Sequence, residues 1–244
     1  MLNFFFPLVL IIAILGCLGF LAVMGYRSAT ASDFFEVKQV EIIGTTRVPK
    51  ADIEKIVRNF GAKAGVWHIE LDEIKADVEQ LPYVKAAAVS RLLPDGIRVN
   101  VAERVPQAVV RRGSDDYWAD DEGVILGPVL KSDQRPPFVL KGWDDGRTER
   151  SIKENQERVK LFRKLQEEWG TTDLSSRVRE VDLGDTHDVK ALIDEGGASI
   201  EIGIGKDNFG KRLKTALDAI AGKGDRVKSV NARGVYPVIQ YSGS

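Results

Sequence analysis

The residues best spaced for chemistry are Gly203-Ile204-Gly205-Lys206-Asp207-Asn208-Phe209-Gly210. Glycines between a strand and a helix suit a phosphate-binding turn, because they let backbone N–H groups and the positive helix N-terminus approach an anion. Three features argue against that chemistry here. Asn208 stands where the third glycine of a dinucleotide turn belongs, and Lys206 is followed by Asp207 rather than by the Ser or Thr of a P-loop. The preceding strand also reads as antiparallel, whereas nucleotide turns lie in parallel βαβ units. The expectation is a plain strand-to-helix turn built from small residues.

The acidic group Asp115, Asp116, Asp120, Asp121 and Glu122 offers oxygen ligands for a hard cation, but not at the spacing of a calcium loop. It reads as a solvated hairpin tip. No two of these carboxylates are singled out as a glycosidase pair. His68, in Val66-Trp67-His68-Ile69, reads as a loop or packing histidine, and His187 falls in a turn between Thr186 and Asp188. With two histidines far apart and one cysteine, Cys17, neither a zinc site nor a histidine-assisted nucleophile is expected. Trp118 and Trp143 are expected in a core. No catalytic residue, metal ligand or cofactor is assigned, and the chain is not expected to be an enzyme. Charged residues make up 29% of the sequence with a net charge of −1, so nothing electrostatic points to nucleic acid.

The elements that carry these residues begin with an apolar run. No Asp, Glu, Lys or Arg precedes Arg27, and Phe4–Tyr26 is almost wholly apolar. At about 1.5 Å per residue this run crosses a hydrocarbon core about 30 Å thick with some tilt. Ala29-Thr30-Ala31 has the form of a signal cleavage site, but the apolar run is longer than a signal core and no basic residue precedes it. Leu15-Gly16-Cys17 has the form of a lipidation site, yet apolar residues continue to Tyr26. A buried core helix would carry a polar stripe, and none is present. Residues 4–26 are therefore read as a helix in membrane lipid, 1–3 as a tail and 27–34 as a linker. Charge alone does not orient the helix, because the nearest basic residue, Arg27, follows it.

Beyond the linker, Val40 and Ile42 alternate with Glu41 as a strand ended by Gly44. Pro49 opens a helix with Ile53, Ile56, Val57 and Phe60 on one face. A loop with Gly61 and Gly65 is expected next, then a helix capped by Asp72 that carries Leu71, Ile74, Val78 and Leu81 and ends at Pro82. Val84–Leu92 and the alternating Ile97, Val99 and Val101 read as strands joined by Pro94-Asp95-Gly96. The order is strand, helix, helix, strand, strand.

A second region starts near Pro106. Its strand candidates are Ala108–Val110, Asp116–Ala119, Val124–Leu126, Phe138–Leu140, Val178–Leu183, Val189–Ile193, Ser199–Ile204, Val227–Arg233 and Val235–Tyr241. Two helices are expected. Ile152–Trp169 turns Ile152, Val159, Phe162, Leu165 and Trp169 inward. Asp207–Ala221 carries Phe209, Leu213, Ala216, Leu217 and Ile220 on one face. The fold class is α+β, with a mostly antiparallel second domain. The last strand is expected at a sheet edge, where Pro237 is tolerated and a partner strand can add by β-augmentation. Arg233 is placed to pair with a partner carboxylate.

Residues Phe35–Gly44, then Arg47-Val48 and a helix, resemble the start of a POTRA domain. Leu81–Arg91, Leu93–Val101 and Glu103-Arg104-Val105-Pro106-Gln107-Ala108 resemble the corresponding block of the FtsQ/DivIB family of cell-division proteins. Asp120–Gly123 resembles that family's D-x-x-G turn, and Val230-Asn231-Ala232-Arg233 its late V-D-L-R strand. The resemblance is strong over 35–108 and looser afterwards.

It implies a bitopic inner-membrane protein of the divisome, enriched at the septum, with its N-terminus inside and its folded region outside the cytoplasm. It also implies a POTRA domain at 35–104 and a β domain at 105–244. The implied role is a non-enzymatic scaffold that binds FtsB and FtsL and connects to FtsK, FtsW and FtsI. The family's partner strand corresponds here to Gly234, Val235, Tyr236, Val238, Ile239, Gln240 and Tyr241, with Arg233 before it. Asn231 and Ala232 depart from the motif's Asp and Leu, and the cytoplasmic tail is almost absent, so an upstream start is an alternative. The competing functions are a POTRA-bearing factor of translocation or envelope assembly and a membrane-anchored wall enzyme.

Overall fold

The computed structural model describes residues 2–30, 36–144, 146, 148–170, 173–223 and 226–243; side chains at 2–9, 27–30 and 63 lie outside the description. The chain divides into two compact units, Met1–Arg104 and Val105–Ser244.

In the first unit, helix α1 spans Leu2–Thr30, so helix continues past the expected end at residue 26. Most of the expected linker, 27–34, lies outside the described residues. The described side chains of α1 run from 10 to 26 and are all exposed. That stretch is shorter than the about 20 residues a span requires. Among the described residues no helix is long and apolar enough to cross a membrane.

Strand β1 (Gln39–Ile43), helices α2 (Lys50–His68) and α3 (Leu71–Glu79), and strands β2 (Val84–Leu92) and β3 (Gly96–Glu103) follow in the expected order. The sheet order is β1-β3-β2, with β3 parallel to β1 and antiparallel to β2. Alternation along β3 buries Ile97, Val99 and Val101 and turns Arg98 outward to Glu41, 2.7 Å away. Ile53, Val57, Ile74 and Val78 from the helices complete the core.

Two expectations are corrected here. The loop expected at Gly61 and Gly65 is helix: α2 continues through Gly61 and kinks at Gly65, whose φ of 62° and ψ of 173° need a glycine. Continuing the helix buries Val66. The second helix is not capped by Asp72. Its cap position is Glu70, two residues earlier, with no side-chain cap bond, because burying Ile74 and Val78 fixes its phase.

The second unit holds β4 (Ala108–Arg112), β5 (Asp115–Ala119), β6 (Ile125–Pro128), β7 (Val139–Lys141), α4 (Glu149–Gly170), β8 (Val178–Asp182), β9 (Val189–Glu195), β10 (Ala198–Gly205), α5 (Phe209–Ile220), β11 (Val227–Asn231) and β12 (Val238–Tyr241). They form one sheet in the order β12-β11-β10-β9-β8-β7-β4-β5-β6. Most neighbouring pairs are antiparallel; β4–β7, β7–β8 and β10–β11 are parallel. Helices α4 and α5 make the crossovers from β7 to β8 and from β10 to β11. Phe162, Leu165 and Trp169 of α4 share a core with Phe209, Leu213, Ala216 and Ile220 of α5. Phe138 packs edge-on to Phe162 and Trp169 at 5.5 and 5.2 Å.

Ile152 was expected inward and is 42% exposed. The first turns of α4 instead bury Ser151, Asn155 and Arg158, because the preceding loop folds over them. Asn155 Nδ2 donates to the Asp144 carbonyl (2.8 Å), its Oδ1 accepts from the Asp144 N–H (3.1 Å) and from Arg158 Nη1 (2.8 Å), and Arg158 Nε donates to the Leu183 carbonyl (3.1 Å).

Candidate functional site

The glycine-bearing turn joins β10 to α5. The expectation that its strand lies in a purely antiparallel setting is corrected: β10 is antiparallel to β9 but parallel to β11, across α5. What occupies the turn is the protein's own arginines. A Cβ at Gly203 would lie 2.9 Å from the Arg233 guanidinium, and one at Gly205 would lie 2.7 Å from Arg212 Nη1. Arg212 donates to the Ile204 carbonyl at 2.8 Å and pairs with Asp207 at 2.7 Å. These glycines make room for cations, where a nucleotide turn would make room for an anion.

The acidic group does not form one solvated tip. Asp120 is 1% exposed and accepts the N–H groups of Glu122 (3.0 Å) and Val124 (2.8 Å), which fixes the turn into β6. Asp116 pairs with Arg111 (2.9 Å) and Arg135 (3.3 Å). Among the described residues no group of His, Cys, Asp or Glu is arranged to hold a metal ion. Trp118 is buried beside its cross-strand neighbour Val109 and donates to Asp133 at 2.8 Å. Trp143 packs against the main core and donates to the Gly123 carbonyl at 3.3 Å. His68 and His187 are exposed.

The expected partner strand is the last in the sheet. Among the described residues strand β12 pairs with β11 alone: Val238 opposes Asn231, Ile239 opposes Val230, Gln240 opposes Ser229 and Tyr241 opposes Val227. It is shorter than expected, beginning at Val238 rather than Val235, because residues 233–236 bend away after β11 ends at Asn231. Val235 is 88% exposed, Tyr236 82% and Val238 68%, and Tyr241 is also exposed. Ile239 points the other way and packs against the core. Gln240 Oε1 accepts from Ser229 Oγ at 3.1 Å.

Arg233 is exposed but already paired within the chain. It lies across Gly203, with Nε and Nη2 donating to the two carboxylate oxygens of Asp188 at 2.5 and 2.6 Å. A cleft of about 290 Å³ opens beside it, lined by Lys211, Arg212 and Thr215 of α5 and by Val235 and Pro237. Asp188, Gly203 and the α5 residues were not singled out from the sequence as parts of this edge. Their only signal is the glycine spacing, which points to a phosphate before it points to an arginine.

An α2β3 domain followed by a helix-backed, nine-stranded mixed sheet is the architecture of a POTRA-type domain with a second α+β domain. Residues 35–104 match the family model described as POTRA domain, FtsQ-type. The cell division protein FtsQ of Koribacter versatilis (strain Ellin345) is 29% identical over 179 residues, covering 71% of this chain and 50% of that protein. FtsQ of Novosphingobium aromaticivorans is 33% identical over 112 residues, covering 46% and 35%. FtsQ of Syntrophotalea carbinolica is 23% identical over 209 residues, covering 83% and 71%. Over these stretches the chain is similar to FtsQ-type cell division proteins, and it spans only half the length of the first of these relatives and about a third of the second. The major extracytoplasmic domain of DivIB from Geobacillus stearothermophilus is 18% identical with a TM-score of 0.29, covering 52% of this chain and 99% of that one, a likeness too weak to carry an argument.

Proposed function

We propose that this chain is a non-enzymatic scaffold of the division septum, anchored in the cytoplasmic membrane through residues 4–26, with its N-terminus inside and its folded domains outside. Its β12 edge takes a strand from FtsB of the FtsB–FtsL pair, and the assembly links to FtsK, FtsW and FtsI. The anchor is supported by the apolar run before Arg27 and by the exposure of every described α1 side chain. The observation that carries the docking reading is that β12 is the last strand of the sheet among the described residues, with Val238 in it and Val235 and Tyr236 before it exposed. Sheet edges are normally blunted in native proteins. The opposite edge, β6, is blunted: it ends in Pro128, and the next residue's N–H is bonded back to Asp116. Strand β12 has its proline before it rather than in it, and its exposed side chains, Val238, Gln240 and Tyr241, give a partner strand a surface that is partly apolar.

Val238→Glu tests this, because Ile239 packs against the core and a charge there would disturb folding as well as binding. Co-purification with FtsB–FtsL should fall at least about tenfold, roughly 1.4 kcal/mol, with the thermal transition unchanged. Undiminished binding would remove β12 from the proposal. Depletion of the protein should give filaments without septa; normal division would count against the scaffold reading as a whole.

A further inference from the structure

The chain enters the POTRA domain at one end and leaves it at the other. Strand β1 starts at Gln39, which pairs with Gly96 at the β2–β3 turn. The N–H groups of Lys38 and Gln39 both donate to the Asp95 carbonyl, at 2.8 and 3.1 Å, so the segment arriving from α1 is tied to that turn. Leu93, in the same turn, is 54% exposed. Arg91, at the end of β2, donates to the carbonyls of Val66 (2.7 Å), Trp67 (3.3 Å) and Ile69 (2.9 Å). This brings the end of α2 to the same place and displays Trp67, 39% exposed. At the opposite end Val84 pairs with Glu103, and the N–H of Arg104 donates to the Tyr83 carbonyl at 2.7 Å as the chain departs.

Large apolar side chains exposed on the described residues of this domain are Ile43, Trp67 and Leu93, and two of these three sit at the entry end. We infer that this end is a lipid-docking tip, at which Trp67 and Leu93 enter the boundary between headgroups and acyl chains of the bilayer that α1 crosses. The inference rests on the reading of α1 as a membrane anchor. Fully extended, the residues between Thr30 and Gln39 reach about 30 Å at most, which keeps the entry end near the surface. Tryptophan favours that boundary, where its ring is buried and its N–H stays wet. Charges at this end are mixed, Lys38 against Glu36 and Asp95, so the contact is apolar rather than a headgroup charge site. Two side chains make a weak contact on their own. Tethering makes it intramolecular, which is why lipid rather than a diffusing protein is the occupant.

The test uses the full chain in phosphatidylcholine vesicles. Residues 1–30 contain no tryptophan, Trp118 and Trp169 are buried, and Trp143 is half-buried in the second unit, so with lipid that carries bromine on its acyl chains the quenching lost in Trp67→Phe reports on Trp67. Emission should be quenched in the wild type and several-fold less in Trp67→Phe. In a Cys17→Ala background, a nitroxide at Leu93→Cys should be more accessible to oxygen and less to a nickel chelate than one at Gln80→Cys, which lies toward the opposite end. Both signals are required. A label at Leu93→Cys as aqueous as that at Gln80→Cys, or quenching unchanged by Trp67→Phe, would overturn the tip. A label at Leu15→Cys separates the two readings. If it is deep in the bilayer, the anchor stands whatever the tip does. If it is aqueous, the anchor fails and the tip with it.

Discussion

Glu103 shows how a motif residue earns its place. Its carboxylate accepts the N–H groups of Thr46 (2.9 Å), Arg47 (3.0 and 3.1 Å) and Val48 (2.7 Å), and so pins the β1–α2 connection to the end of β3. Burial alone would raise its pKa; the amides of Val48, Thr46 and Arg47, with the Arg47 charge, outweigh that and hold it below the usual carboxylate range. A carboxyl whose folded pKa is depressed contributes stability above its unfolded pKa and loses it as pH falls through the folded value. Glu103→Gln keeps one acceptor oxygen and loses the charge. At neutral pH it should cost about 1–3 kcal/mol locally, toward the low end because the group is partly exposed. Hydrogen exchange of the peptide spanning Thr45–Lys50 should be faster in the variant at pH 7, with wild type and variant converging as the pH drops below the folded pKa. A constant difference across pH would mean that the charge is not what holds the turn. In the sequence Glu103 is visible only as part of a family motif. Its partners are more than fifty positions away, and nothing local announces them.

At the scale of elements, the legible parts are those with a dominant local period. The alternation in β3 and the spacing of Val159, Phe162, Leu165 and Trp169 in α4 place those side chains inward, and the structure buries them. Periodicity failed where a polar face is buried or where pairing is remote. The first turns of α4 bury Asn155 and Arg158 under the 142–144 segment, a face that hydropathy reads as solvated. The parallel partner of β10 is β11, beyond α5, whereas the nearby hairpin to β9 dominates the local pattern. The α4 error makes a sharp prediction. Ile152→Lys should change stability by no more than about 0.5 kcal/mol, as an exposed surface substitution does. Asn155→Leu should cost about 3 kcal/mol, because it leaves the Asp144 backbone and the buried Arg158 guanidinium short of partners. Chemical denaturation of the two variants checks both, and a reversal of their order would return Ile152 to the core.

At the scale of the whole molecule, each unit carries its own hydrophobic core, one built from Val37 to Val101 and the other from Ala108 to Ala232. A unit with its own core of this size can fold alone. The proposed β12 docking edge lies wholly in the second unit, whereas the proposed lipid tip lies wholly in the first. Binding and membrane contact should therefore be separable by cutting the chain rather than by mutating it. A fragment of residues 105–244 should fold cooperatively and bind FtsB within about twofold of the full chain, because sites that share no partners are additive to about 0.5 kcal/mol. A fragment of residues 36–104 should not bind FtsB at all. Calorimetry of the first fragment and titration of both with FtsB give the answer. If 105–244 folds but binds more than tenfold weaker, the POTRA domain supplies part of the docking surface, and the β12 edge alone does not account for the scaffold.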